Sequence, residues 1–113
     1  MTSTVRFTVH FKKEYKRLAK KYASLKNDIL LLIDELKENP TTGINLGNNT
    51  YKTRMAISSK GKGKSGGARV ITYFVDKDNI VYLLSIYDKS EEVNISDSEI
   101  KNILKEVESN PYF

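Results

Sequence analysis

Gly67-Ala68-Arg69-Val70-Ile71-Thr72-Tyr73-Phe74-Val75 and Ile80-Val81-Tyr82-Leu83-Leu84-Ser85-Ile86-Tyr87 are two runs rich in β-branched and aromatic residues, parted by Asp76-Lys77-Asp78-Asn79. Such runs fit a pleated, half-buried backbone, and the residues between them favour tight turns, so the pair predicts a β-hairpin. Val70, Ile71, Phe74, Ile80, Val81, Leu83, Leu84 and Ile86 place apolar side chains on both faces. The sheet is therefore expected to be covered on one face and partly on the other. Upstream, residues 51–57 read as a further strand, and the polar stretch 41–50, with Gly43, Gly47, Asn48 and Asn49, reads as a loop.

Residues 4–10 alternate, with Val5, Phe7, Val9 and Phe11 on one side, as a strand should. The period then becomes helical: Phe11, Tyr15, Leu18, Ala19 and Tyr22 share a face, with Lys12, Lys13, Lys16, Lys20 and Lys21 largely opposite. Ser24 is placed to cap a second helix striped by Leu25, Ile29, Leu32, Ile33 and Leu36 and stopped by Asn39-Pro40. Ser96-Asp97-Ser98-Glu99 forms a capping box for a short last helix with Ile100, Ile103, Leu104 and Val107 on one face. The predicted order is β-α-α-β-β-β-α. Strands in a block after a helical hairpin indicate the α+β class, with a three-stranded, mostly antiparallel block in one domain spanning residues 1–113.

The 113 residues suffice for one hydrophobic core, and a composition of 39% hydrophobic and 29% charged residues is that of a folded protein. Cysteine is absent, which removes disulfides and thiolate chemistry. Residues 1–8 lack the basic and apolar regions of a signal peptide, and the apolar run from Ile29 to Ile33 is too short to span a bilayer, so a cytoplasmic location is expected and no membrane partner.

A net charge of +5 favours an anionic partner, and its distribution sharpens the point. Between Asn48 and Val75 there is no acidic residue, while Lys52, Arg54, Lys60, Lys62, Lys64 and Arg69 all fall there. Gly63-Lys64-Ser65 resembles the end of a nucleotide P-loop, but Ser58 stands where that pattern needs glycine and a strand follows instead of a helix. No nucleotide cofactor is expected. Glycines in residues 60–67 let backbone amides approach an oxyanion, although charge and glycine alone would also make a solvated hairpin tip. Lys52 and Arg54, two apart, share a strand face, and Arg69 opens the next strand, so the three can converge on one side of the sheet, and like charges brought together there suggest a ligand. If all six cations met a single-stranded phosphate chain, the logarithmic salt slope would be about −4, or at most roughly 300-fold in affinity between 50 and 200 mM salt. Tyr87, Asp88 and Lys89 at the last strand's end add a ring, a carboxylate and a donor.

His10 is the only histidine and is given a structural role at a strand end. Neither a metal-ligand set nor a histidine acid–base pair is present, so catalysis would run on lysine, arginine and tyrosine. RNA permits this, because its 2′-OH is the nucleophile and the protein need only orient it, accept its proton and stabilise the phosphorane.

Phe11-Lys12-Lys13-Glu14-Tyr15-Lys16-Arg17-Leu18, Asn39-Pro40, Tyr51-Lys52-Thr53-Arg54, residues 67–74 and Ile86-Tyr87-Asp88-Lys89-Ser90-Glu91 occur in an order and spacing that resembles the RelE/ParE superfamily of toxin-antitoxin toxins. The likeness spans nearly the whole chain and is greatest to the RelE/HigB-like branch. It implies a cytoplasmic toxin that cleaves messenger RNA in the ribosomal A site without a metal or other cofactor and is silenced by a cognate antitoxin. Carried over by position, Lys52 and Arg69 would hold the scissile phosphate, Tyr87 would stack on or orient a base, and Lys89 would protonate the leaving group. The basic loop with Lys60, Lys62 and Lys64 would guide RNA. Arg54 departs from the pattern, which has a lysine there as base, and arginine is effectively never deprotonated. Lys60 or Lys62, Asp88 or the ribosome are the alternative proton acceptors. The same fold hosts ParE-like inhibitors of DNA gyrase, and a non-catalytic module whose basic groove binds only an acidic antitoxin segment is a third reading.

Overall fold

The structure is a computed structural model describing residues 2–92 and 94–109. Its elements are β1 (Thr4–Phe7), α1 (Val9–Lys21), α2 (Leu25–Glu38), β2 (Ile44–Gly47), β3 (Thr50–Met55), β4 (Ala68–Val75), β5 (Ile80–Asp88) and α3 (Asp97–Ser109), with short 3₁₀ turns at Ser58–Lys60 and Asp76–Asp78. One sheet in the order β1-β5-β4-β3-β2 joins all five strands. Neighbours are antiparallel except β1, which runs parallel to β5. The α+β class holds, with five strands in the sheet.

The N-terminal strand is shorter than its alternation suggests. Thr8 accepts the amide of Phe11 through Oγ1 and so caps α1, turning the chain helical at Val9. His10 therefore sits in the first helical turn and not at a strand end, with Nε2 3.0 Å from Glu14 Oε1. Burial raises the Glu14 carboxyl above its usual range against the opposing hydrogen bond from Ser85 and charge of His10. Ser24 precedes α2 but makes no side-chain cap bond; its hydroxyl serves Asp28 and Ser59 instead. Ser96 does accept the amide of Glu99, as a capping box requires.

The helical hairpin covers one sheet face. Phe11, Leu18, Leu25, Ile29, Leu32 and Leu36 pack there against Met55, Val70, Val81, Leu83 and Ile86. On the other face α3 brings Ile100, Ile103 and Val107 onto Ile71, Tyr82, Leu84 and Tyr87. Both faces are thus covered, which accounts for the apolar residues on both sides of β4 and β5. A register shift in the β4–β5 ladder pairs Ile71 with Ser85 and Thr72 with Leu83. Leu84 is then the extra residue of a bulge, and the shift lets both Leu84 and Tyr87 face α3 while Leu83 and Ile86 face the hairpin.

The stretch read as a loop between α2 and β3 contains β2. Asn48 and Asn49, both at positive φ (52° and 62°), make the tight turn that joins it to β3. All four β2 residues are exposed, so no buried face advertises the strand.

Candidate functional site

Arg54 of β3 and Arg69 of β4 are direct cross-strand partners, and Arg69 is in turn opposite Tyr87 of β5. Lys52 lies two residues along β3 from Arg54, so the three cations share a sheet face as their spacing predicts. Like charges opposite one another are unfavourable. The conflict is relieved by using them differently. Arg54 is exposed, whereas Arg69 is only 7% exposed and its guanidinium donates to the carbonyls of Lys64 at 3.0 Å, Ala68 at 3.1 Å and Ser65 at 3.3 Å. Arg69 holds the end of the basic loop.

The start of the loop is held as firmly. Asp28 on α2, almost fully buried, accepts the Ser58 amide at 3.0 Å as well as the Ser58 hydroxyl, and Ser24 Oγ accepts the Ser59 amide at 2.9 Å. Lys60 then turns inward, with Nζ 2.8 Å from Asp88 Oδ1 and stacked 5.6 Å from the centre of the Tyr22 ring. Gly61 and Gly63 adopt left-handed conformations (φ 68° and 63°) that carry the chain over the tip. Gly67 closes the loop where a side chain would run into the Met55 carbonyl and the Ala56 and Ile57 backbone. Lys62 and Lys64 remain exposed between these anchors.

Asp88 is fully buried. Oδ1 accepts from Lys60 and from the amide and hydroxyl of Ser90, and Oδ2 accepts the Tyr22 hydroxyl. Burial alone would raise the carboxyl, but the hydrogen bonds from Lys60, Tyr22 and Ser90 outweigh it and hold Asp88 well below the usual carboxylate range. That is the wrong environment for a base: the expectation that Asp88 takes a proton gives way to a clasp joining α1, the loop and β5. The same clasp withdraws Lys60 from the solvent-facing cations and from the candidate bases.

Tyr87 is 1% exposed, packed under α3, and its hydroxyl has no hydrogen-bond partner among the described residues. Burial raises its phenol against the opposing charge of Arg69. In this arrangement its ring is covered from any RNA base. Lys89 is exposed, and its amide donates to the Gly67 carbonyl at 3.1 Å, pinning the strand end to the loop.

Lys52, Arg54 and Lys64 come together at the β3 edge where β2 begins. A cavity of about 380 Å³ is lined by Lys52, Arg54 and Lys64 with Glu35, Thr42, Gly43, Ile44 and Thr53. A second of about 230 Å³ shares Arg54, Lys64 and Glu35 and continues toward Asp28 and Ser58. Glu35, contributed by α2, carries no signal in the sequence, where it reads as one more charge on a solvated helix face. Three cations against one carboxylate give this concave edge a net positive lining. Among the described residues no group of histidine, aspartate and glutamate could hold a metal ion, and no helix is long and apolar enough to cross a membrane.

Comparison with known proteins agrees with this architecture. Structures similar to the chain include a doubly substituted E. coli RelE toxin in the free state, at 15% identity, covering 93% of this chain and 97% of that one with a TM-score of 0.62. E. coli RelE bound to an antitoxin RelBc peptide matches at 17% identity, 90% and 93% coverage and a TM-score of 0.60. The toxin-antitoxin complex RelBE2 of Mycobacterium tuberculosis matches at 16% identity, 78% and 99% coverage and a TM-score of 0.55. At such identities these likenesses establish the fold. The model of the RelE toxin of the RelE/RelB toxin-antitoxin system matches residues 7–110, and the chain belongs to the RelE toxin family.

Proposed function

We propose that this toxin cleaves messenger RNA on the ribosome, without a metal, and so stops translation. The observation that carries the reading is the convergence of Lys52, Arg54 and Lys64 on one open cleft, with Lys62 exposed on the adjoining loop. A phosphate seated there is bound by charge and by guanidinium forks, and the developing charge of a phosphorane is stabilised by the same groups. Lys52 and Arg54 fix the scissile phosphate, and Lys62 and Lys64 guide the flanking strand. Arg69 supports them through the loop carbonyls. In this reading Lys89, exposed just past the end of β5, protonates the leaving group, and Tyr87 must be uncovered before it can meet a base.

A cognate antitoxin is the expected protein partner. A segment that silences the cleft by covering it should be acidic and is expected to dock as a helix or an extended strand.

The test is to add the purified protein to translating ribosomes and map mRNA ends. Cleavage within the A-site codon is expected, and intact mRNA defeats the reading. Expression in cells separates the alternatives: replication arrest with DNA damage indicates a gyrase inhibitor, and growth without either effect indicates a module that only binds antitoxin.

A further inference from the structure

Cleavage through a 2′-OH needs a proton acceptor, and three of the groups first considered for that task are unsuited in place. Arg54 keeps its charge, Lys60 is ion-paired and Asp88 has its oxygens filled. Glu35 is different. It is exposed, it lines both parts of the cationic cleft, and among the described residues its one side-chain hydrogen bond is from the Thr42 hydroxyl at 3.5 Å, the outer limit for such a bond. The other carboxylate at the cleft, Asp28, is buried and accepts from Ser24 and twice from Ser58.

A carboxylate opposes phosphate binding, so its place among three phosphate-binding cations calls for a reason. The ordinary one is a counter-ion that neutralises them. In that role it would lie within ion-pair distance of at least one cation, yet among the described residues the ion pairs are His10–Glu14, Arg17–Glu91, Lys21–Glu91 and Lys60–Asp88. Glu35 is thus without a cation partner among the described residues, on the wall of the cleft.

Resting on the reading above, we propose that Glu35 is the general base of RNA cleavage, accepting the proton of the 2′-OH. As that proton passes to the Glu35 carboxylate, the 2′-oxygen bonds to phosphorus and the bond from phosphorus to the 5′-oxygen breaks. The products are a 2′,3′-cyclic phosphate and a 5′-hydroxyl, whose proton comes from the Lys89 ammonium, itself reprotonated from solvent. Glu35 is restored by losing its proton to solvent.

The experiment is single-turnover cleavage of ribosome-bound mRNA by the unaltered toxin, Glu35→Gln and Glu35→Asp, with binding measured on mRNA carrying a 2′-deoxy nucleotide at the scissile position. Glutamine keeps the shape and a comparable helix propensity, and the site is exposed, so folding is preserved. The expected result for Glu35→Gln is a rate lower by about 100-fold or more with affinity unchanged or tighter, and partial recovery in Glu35→Asp. Wild-type cleavage by Glu35→Gln overturns the assignment, as does a rate loss matched by an equal loss of affinity. Absence of cleavage by the unaltered toxin overturns both this assignment and the function on which it rests.

Discussion

Replacing Asp88 by asparagine isolates the clasp that fixes the basic loop. The carboxylate is fully buried, the Lys60 side chain is only 9% exposed, and their atoms lie 2.8 Å apart. Asparagine fills the same volume but leaves the ammonium without a countercharge, and with one carbonyl oxygen in place of two it turns an NH₂ donor toward either the Tyr22 hydroxyl or the Lys60 and Ser90 donors. Removing one partner of a buried pair costs about 3 kcal/mol, which for a domain of this size lowers Tm by roughly 10 °C. The Asp88 carboxyl lies below its unfolded value of about 3.9, so its contribution is fully present above that pH and is lost as pH falls through the folded value. The gap in stability between parent and Asp88→Asn should therefore be widest near neutrality and narrow below about pH 4. Urea unfolding followed across pH reads this directly. Adding Lys60→Met to Asp88→Asn should cost less than the two single changes together, because no unpaired charge remains. A single variant within about 0.5 kcal/mol of the parent at pH 7, or a gap that does not change with pH, refutes the clasp.

The inward turn of Lys60 and Arg69 leaves Lys52, Arg54, Lys62 and Lys64 for RNA, so the logarithmic salt slope for single-stranded RNA should be about −3 in place of −4, or roughly 50-fold between 50 and 200 mM. In the same titration Lys62→Ala should reduce that slope by about 0.7, while Lys60→Met should leave it almost unchanged. Gly67→Ala puts a methyl group against the Met55 carbonyl and within 3.0 Å of backbone atoms of Ala56 and Ile57, none of which can swing aside; a loss of about 1–3 kcal/mol is expected in chemical denaturation. Tyr87→Phe removes a buried hydroxyl that has no partner among the described residues, so calorimetry should show Tm unchanged or slightly raised.

The β4–β5 hairpin and all three helices were legible because each repeats its apolar residues at one period for long enough to set a face. Two boundaries were not. The alternation of Val5 and Phe7 runs on into Val9 and Phe11, so only the Thr8 cap marks the change from strand to helix. Residues 44–47 bury nothing, and Asn48-Asn49 signals a tight turn only when paired strands are already expected on both sides of it. At the site, the absence of acids from Asn48 to Val75 located the cations but said nothing of their partners. Asp88 lies 28 residues beyond Lys60, and Arg69 finds loop carbonyls that have no sequence signature. Glu35 reaches the cleft only because α2 packs beside the open edge of β3.

The parallel pairing of β1 with β5 joins residues such as Thr4 and Ile80 from opposite ends of the fold. Closing so long a stretch of chain is entropically slow, whereas β3, β4 and β5 meet through short connections. The meander should therefore assemble first and β1 dock late. Substitutions in Val5 or Phe7 should then accelerate unfolding while scarcely altering the refolding rate, making the short first strand the latch that sets how long the folded toxin persists.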